Sequence, residues 1–301
     1  MNQSKLAHAD LLIPEISLGA MSLDYKEPQL ASKILDQALA LGINYIDTAD
    51  LYDRGENERM IGNLTKANRK NWLLASKVGN LWRQDGSGWD WVPSKQYIIQ
   101  AVEQSLKNLQ TDYLDLYQLH GGTNEDPMAE IVEAFELLKA QGKIRAYGIS
   151  SIRPNVFQNY AKGSQISSNL MQYSLLDRRP EEYLDFFDKS QVSVFVRGAL
   201  AQGLLVDKSA KSYLGFEATA IARLQIALQD VSNDLQVPKL ALALKYPLLH
   251  RAVKSIVVGI RTAQQMDDLE QAIQKLADIQ LSDYEDLLNL LPTNRYTDHR
   301  Q

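Results

Sequence analysis

Three residues able to move or hold a proton lie near the ends of otherwise apolar runs: Asp47 in NYIDTA, Lys77 in WLLASKV and His120 in LDLYQLH. A fourth, Tyr52, follows Asp47 by five residues in the loop DTADLYDRGENE. A phenol of ordinary pKa, about 10, is a poor acid at neutral pH. A nearby ammonium stabilises the phenolate, and a carboxylate can hold that ammonium in place. Tyr52 paired with Lys77 and Asp47 is therefore a proton donor suited to reducing a carbonyl. His120 could orient the carbonyl oxygen, donate to it electrostatically or relay the proton. Each residue alone has a plainer reading. Asp47 could cap the loop, Lys77 could reach out of a strand end, Tyr52 is one of 14 tyrosines, and His120 could be a satisfied core histidine. The joint placement distinguishes the readings, because isolated Asp, Lys and His in such runs are costly unless they satisfy one another.

The elements that would bring them together recur along the chain. Short β-rich runs occur at 16–21, 44–49, 72–78, 114–120, 144–150, 168–174, 193–198 and 254–260. Between them, segments such as 29–41, 96–109, 127–141 and 262–276 carry apolar residues at helical spacing, the last opening with Thr262 as an N-cap. Eight strands alternating with about eight helices predict a parallel (β/α)8 TIM barrel over residues 1–301 as a single domain. A β-hairpin at roughly 5–15 is expected to close its bottom. Polar or functional residues stand at or just past nearly every run: Met21, Asp47, Lys77, His120, Ser150, Ser151, Gln172, Arg197 and Arg261. In a barrel these ends share one face, where active sites are built. The long connection 79–93, with Trp82, Trp89, Trp91, Gly86 and Gly88, is read as a loop overhanging that face. It forms either a flexible apolar wall or a packed rim. The tail after Ser282 is a short helix and polar residues; Asn294, Arg295 and Tyr296 could complete the pocket or cover a cofactor.

Composition narrows the classes. The 301 residues are 45% hydrophobic, ample for a core, and carry a net charge of -5 with no dense basic run, which argues against nucleic acid. The absence of cysteine excludes disulfides, thiolate catalysis and cysteine-ligated metals, and fits a reducing compartment. No run approaches the length of a membrane span or signal peptide, so the expectation is a cytoplasmic protein, monomeric or weakly self-associating, without membrane partners. There is no Gly-x-Gly-x-x-Gly after a strand, no Tyr-x-x-x-Lys, no P-loop, no nucleophile elbow and no histidine pair at metal-ligand spacing.

The blocks YIDTADLYDRGENERMIG, LLASKV and TDYLDLYQLH together resemble those of the aldo-keto reductases, over essentially the whole chain. The resemblance implies a tetrad of Asp47, Tyr52, Lys77 and His120, with Tyr52 as general acid in an NADP(H)-dependent reduction of aldehydes or ketones and no metal. It assigns Gly19, Met21 and Asp47 to cofactor binding as well. YGISS matches the carboxamide-binding block with Ser150, although Ser151 stands where the family has Asn, and Gln172 matches the carboxamide-binding glutamine. In FVRGALAQGLL, Arg197 replaces an aromatic that stacks on the nicotinamide, and Gly198-Ala199 replace Ser-Pro. Leu200, Gly203 and Leu204 belong to the same loop, with Gly203 and Leu204 lining the pyrophosphate. IVVGIRTAQQMDDLEQAI matches the adenosine-phosphate site through Gly259, Arg261, Thr262, Gln265 and Asp268. Gln265 stands where NADP-preferring members often have Arg, and Leu269 replaces an adenine-contacting Asn. An arginine with hydroxyl and backbone donors at a helix start suits a 2'-phosphate, so NADPH is favoured over NADH. Tyr25, Tyr52, Trp82 and His120 are expected to line the substrate site. Two other classes stay open: an NADP(H)-binding redox sensor with little turnover, and a cofactor-free glycosidase. The latter needs two facing carboxylates, and Asp47 has no evident partner.

Overall fold

Runs such as LLASKV and LDLYQL are apolar at nearly every position, the pattern of parallel strands covered on both faces. In the computed structural model, which describes residues 1–300, these runs form a closed barrel. The strands are β1 (Gln3–Lys5), β2 (Leu12–Pro14), β3 (Ile16–Gly19), β4 (Tyr45–Asp47), β5 (Leu73–Val78), β6 (Asn80–Trp82), β7 (Trp89–Trp91), β8 (Leu114–Leu119), β9 (Ile144–Ile149), β10 (Ser168–Gln172), β11 (Ser193–Arg197) and β12 (Val253–Val258). The helices are α1 (Pro28–Ala40), α2 (Glu56–Thr65), α3 (Lys95–Leu109), α4 (Met128–Ala140), α5 (Pro154–Gly163), α6 (Glu181–Lys189), α7 (Ala218–Leu235), α8 (Lys239–Leu248), α9 (Ala263–Lys275) and α10 (Glu285–Asn289). Around the barrel the parallel order is β3, β4, β5, β8, β9, β10, β11, β12 and back to β3. The (β/α)8 architecture is thus as expected. Beyond about eight helices there are two more, since α7 and α8 both precede the last strand and α10 lies in the tail.

The barrel interior is built in layers. Tyr45, Ala75, Leu116, Ala146, Leu170, Phe195 and Val257, one from each of seven strands, form a buried inner cluster. Side chains two residues apart on a strand share a face. The next inward positions are therefore Asp47, Lys77, Gln118, Gly148, Gln172, Arg197 and Gly259, and His120 and Ser150 follow two residues further on. The apolar layer is the floor on which the polar mouth stands.

Below that floor, β1 and β2 pair antiparallel and close the bottom, as expected. Leu6, Leu11 and Ile13 join the inner cluster and are almost fully buried. Two strands end earlier than their apolar runs. After Gly19 the chain turns into a 3-10 segment, and Asn57 Nδ2 donates to the Ala20 carbonyl at 2.8 Å. After Asp47, Lys77 Nζ takes the Thr48 carbonyl. Segment 79–93 is not an irregular loop but an antiparallel hairpin, β6–β7.

The plug generates a test. Ile13→Ala is expected to cost about 2–5 kcal/mol, the range for emptying a packed site, read from the urea midpoint at unchanged slope. A loss below about 1 kcal/mol would show that the hairpin is not part of the core.

Candidate active site

Register decides which polar groups meet. Asp47 is aligned with Ala75, and Lys77 with Gln118. Lys77, 1% exposed, therefore reaches sideways and donates from Nζ to Asp47 Oδ1 (2.5 Å), the Thr48 carbonyl (2.7 Å) and the Tyr52 hydroxyl (3.2 Å). Gln118 Nε2 donates to the other Asp47 oxygen at 3.1 Å. Burial by itself drives an ammonium towards neutrality; here the Asp47 carboxylate and the Tyr52 hydroxyl outweigh it and hold the Lys77 pKa above the ordinary lysine value. The His120 ring stands edge-on to Tyr52, with centroids 5.9 Å apart. Burial, then the Lys77 and Arg197 cations, push the His120 pKa down to about 3, so its imidazole is neutral at physiological pH. The four sequence-derived residues converge on one point.

Tyr52 is presented by a strained turn. Asp53, Arg54 and Gly55 all have positive φ (48°, 56° and 84°), a conformation that costs side-chain-bearing residues of order 1–3 kcal/mol each. Polar groups beneath hold it. Thr48 Oγ1 donates to Asn57, and buried Glu58 accepts from Ser76 Oγ (2.6 Å) and Asn108 Nδ2 (2.9 Å). From above, Trp82 Nε1 donates to the Leu51 carbonyl (3.0 Å), the Arg54 guanidinium lies 4.8 Å over the Trp82 ring, and Trp89 packs edge-on to it. Trp82 is thus fastened to the chain beside Tyr52. The tryptophan facing the mouth is Trp91, whose Nε1 donates to Asp126. Gly79 makes this approach feasible, since a Cβ there would come within 2.4 Å of the Trp91 ring.

Two cavities open on this face. The one beside His120, about 320 Å³, is lined by His120, Trp91, Asn80, Gly121, Gly122, Thr123, Ser150, Ser151, Ile152, Arg153 and Arg197. Tyr25 packs half-buried against the core and does not line it. The other, about 560 Å³, lies between the loop after β11 and the end of β12, and brings together Leu200, Gly203, Gly259, Gln265 and Asp268 with Lys208 and Lys239. Gln265 Oε1 accepts from the Arg261 N–H (2.8 Å), and Thr262 caps α9 through the Gln265 N–H (3.2 Å), as its sequence position predicts. The Arg261 side chain is exposed, whereas Leu204 and Leu269 are buried in the core. Met21 is 64% exposed on the turn after β3, and Ala199 is buried.

Between the cavities, Gln172 donates from Nε2 to the Tyr213 hydroxyl (2.8 Å), and Arg197 Nη1 donates to Gln172 Oε1 (3.3 Å). Next to Ser150, Ser151 is buried, and its Oγ accepts from the Arg153 N–H. In the tail, Asn294 is bonded to Leu176 and Arg178, and Tyr296 is buried with Arg179 over its ring. Sequence reasoning passed over Gln118, Arg153 and Tyr213. Gln118 was recoverable, as it stands between Leu116 and His120 at the inward spacing. Arg153 and Tyr213 carry no such signal.

Among the described residues no cluster of three or more potential metal ligands occurs, and no helix is long and apolar enough to cross a membrane. The model of the aldo/keto reductase family matches residues 15–288. The chain is 47% identical over 281 residues to the uncharacterized oxidoreductase YqkF of Bacillus subtilis, covering 90% of this chain and 91% of that protein. It is 29% identical to the NADH-specific methylglyoxal reductase of Escherichia coli, over 71% of this chain and 72% of that one. Among solved structures, the holo form of the aldo-keto reductase AKR11C1 from Bacillus halodurans superposes with a TM-score of 0.94 at 43% identity, covering 100% of both chains. With the family model spanning most of the barrel and all four tetrad positions converging at its mouth, the chain belongs to the aldo/keto reductase family of oxidoreductases, whose members use a nicotinamide cofactor.

Proposed function

We propose that this chain, acting as one catalytic unit, reduces aldehydes or ketones to alcohols with NADPH, and that Tyr52 is the proton donor. The observation that carries this reading is the buried Lys77 ammonium, joined at once to Asp47 and to the Tyr52 hydroxyl. The residues present fit a dinucleotide. A cleft of about 560 Å³, lined in part by Gly203 and Gly259, opens on the same face. Gly203, Leu200, Gln265 and Asp268 would hold the adenosine half, and Ser150 and Gln172 the nicotinamide half. When bound, the reduced nicotinamide supplies the hydride gained by the carbonyl carbon and leaves oxidised.

The chain's own residues handle the oxygen. Tyr52 gives its proton to the carbonyl oxygen, and the Lys77 ammonium 3.2 Å away stabilises the phenolate left behind. Asp47 fixes the ammonium, and solvent later returns the proton to Tyr52. His120, kept neutral, orients the oxygen by a neutral hydrogen bond instead of competing as an acid. Arg261 and Thr262 at the start of α9 support NADPH over NADH, since the Arg261 side chain is exposed there beside the capping hydroxyl. The relative named as NADH-specific makes this preference a matter for these residues and not for the fold.

Three outcomes are expected. Tyr52→Phe lowers aromatic-aldehyde turnover by about 10²–10⁴-fold while NADPH still quenches tryptophan fluorescence at a similar concentration; wild-type turnover in this variant would remove Tyr52 as donor. Arg261→Ala weakens NADPH by about tenfold or more and leaves NADH nearly unchanged; equal losses for the two nucleotides would refute the 2'-phosphate assignment. The third concerns pH. An unfolded histidine titrates near 6.5, whereas His120 is held at about 3. Between these values the unfolded chain binds the extra proton, so the contribution of His120 to stability is lost as pH falls through that window. Wild type should therefore lose stability relative to His120→Asn on going from about pH 7 to about pH 5 in urea titrations. A constant gap would contradict the neutral assignment.

A further inference from the structure

The cavity beside His120 carries two guanidinium groups, Arg153 and Arg197, and no Asp or Glu among its lining residues. Neither arginine forms an ion pair among the described residues, whereas Arg69, Arg145, Arg178 and Arg179 elsewhere are all paired with carboxylates. The nearby carboxylate of Asp126 is engaged otherwise: it accepts from the Thr123 N–H (2.7 Å), Thr123 Oγ1 (2.8 Å) and Trp91 Nε1 (2.8 Å). On its far side Arg153 borders a second cleft with Glu125, His299 and Arg300, but makes no ion pair there among the described residues. Both guanidinium groups are held through one nitrogen, Arg153 Nη1 by the Gly122 carbonyl (2.6 Å) and Arg197 Nη1 by Gln172 Oε1 (3.3 Å). Their remaining N–H groups have no protein acceptor among the described residues. Two positioned cations without counter-charge, beside a neutral His120 and an apolar Trp91 wall, form an arrangement complementary to an anion.

We propose that the substrate of this site is a carbonyl compound bearing a carboxylate, with the carbonyl at Tyr52 and His120, an apolar spacer against Trp91, and the carboxylate on Arg153 and Arg197. The inference rests on the reductase reading above and adds the substrate's charge. Arg197, the more exposed of the two, lies close enough to act on His120, and Arg153 is partly buried where the Gly122 carbonyl holds it.

The test compares 4-formylbenzoate with its methyl ester, measuring kcat/KM with NADPH and with NADH. Wild type is expected to favour the carboxylate by about tenfold or more, although the ester is the more electrophilic aldehyde, and added salt should shrink the ratio. Arg153→Gln should cut the carboxylate-to-ester ratio by about tenfold. Arg197→Gln should do the same and serves as the second variant if the first does not fold. Equal use of both aldehydes by wild type, or an unchanged ratio in both variants, overturns the anion site and leaves the reductase reading standing. A rise in the NADPH Kd of Arg153→Gln matching the fall in the ratio would overturn it too, by assigning the cation to a cofactor phosphate. If neither aldehyde oxidises either nucleotide, the reductase reading fails and takes the inference with it.

Discussion

The Lys77–Asp47 pair is the constraint on which the rest of this mouth depends. Placing an ammonium in a barrel interior costs several kcal/mol unless its donors are all met. Here they are, by a carboxylate, a backbone carbonyl and a phenol. Satisfying them requires β4, β5 and β8 in one register, with Asp47 beside Ala75 and Lys77 beside Gln118, so that Lys77 reaches across to Asp47. It also requires the strand to release the Thr48 carbonyl, which is where β4 stops. The apolar layer beneath and the hairpin plug under it keep the pair dry, and a dry pair is what gives the cation its influence over Tyr52.

The scaffold and the strain are separated. Barrel strands hold Asp47, Lys77 and Gln118 in relaxed extended backbone, while the turn carrying Tyr52 has three successive left-handed residues. Such a turn persists only if it is held from several sides. Asn57 and Glu58 hold it from below, and Trp82 from above through the Leu51 carbonyl. The β6–β7 hairpin thereby links the position of Tyr52 to the wall of the mouth, since its two strands place Trp82 on the turn and Trp91 in the cavity.

Charge is graded across the face. The cation–carboxylate pair lies deepest, a neutral imidazole above it, and beyond them Arg153 and Arg197, which have no carboxylate partner among the described residues. His120 remains neutral because it is buried between cations that would repel its proton. In that state one ring nitrogen can donate a neutral hydrogen bond and the other can accept one.

Much of this was legible from residue order alone. Inward-facing strand positions recur every second residue, so Asp47, Lys77 and His120 at the ends of apolar runs already point to a common mouth once eight such runs are counted. The α9 cap by Thr262 and the basal hairpin are equally local: a hydroxyl before a helical repeat, and a short apolar turn before the first strand. Gln118 obeyed the same two-residue rule and was overlooked only because a glutamine in a strand has many uses. What the chain order could not decide is which way each loop folds. Trp82 and Trp91 are alike in sequence, yet one bonds to Leu51 and the other lines the cavity; the difference is set by the hairpin register and by the space left above Gly79. Arg153 and Tyr213 reach the mouth from loops whose paths are fixed by partners far away in sequence, Gly122 and Gln172. Strand periodicity is a local property, carried by each segment on its own. Loop placement is a sum of long-range contacts that exist only after the barrel has closed.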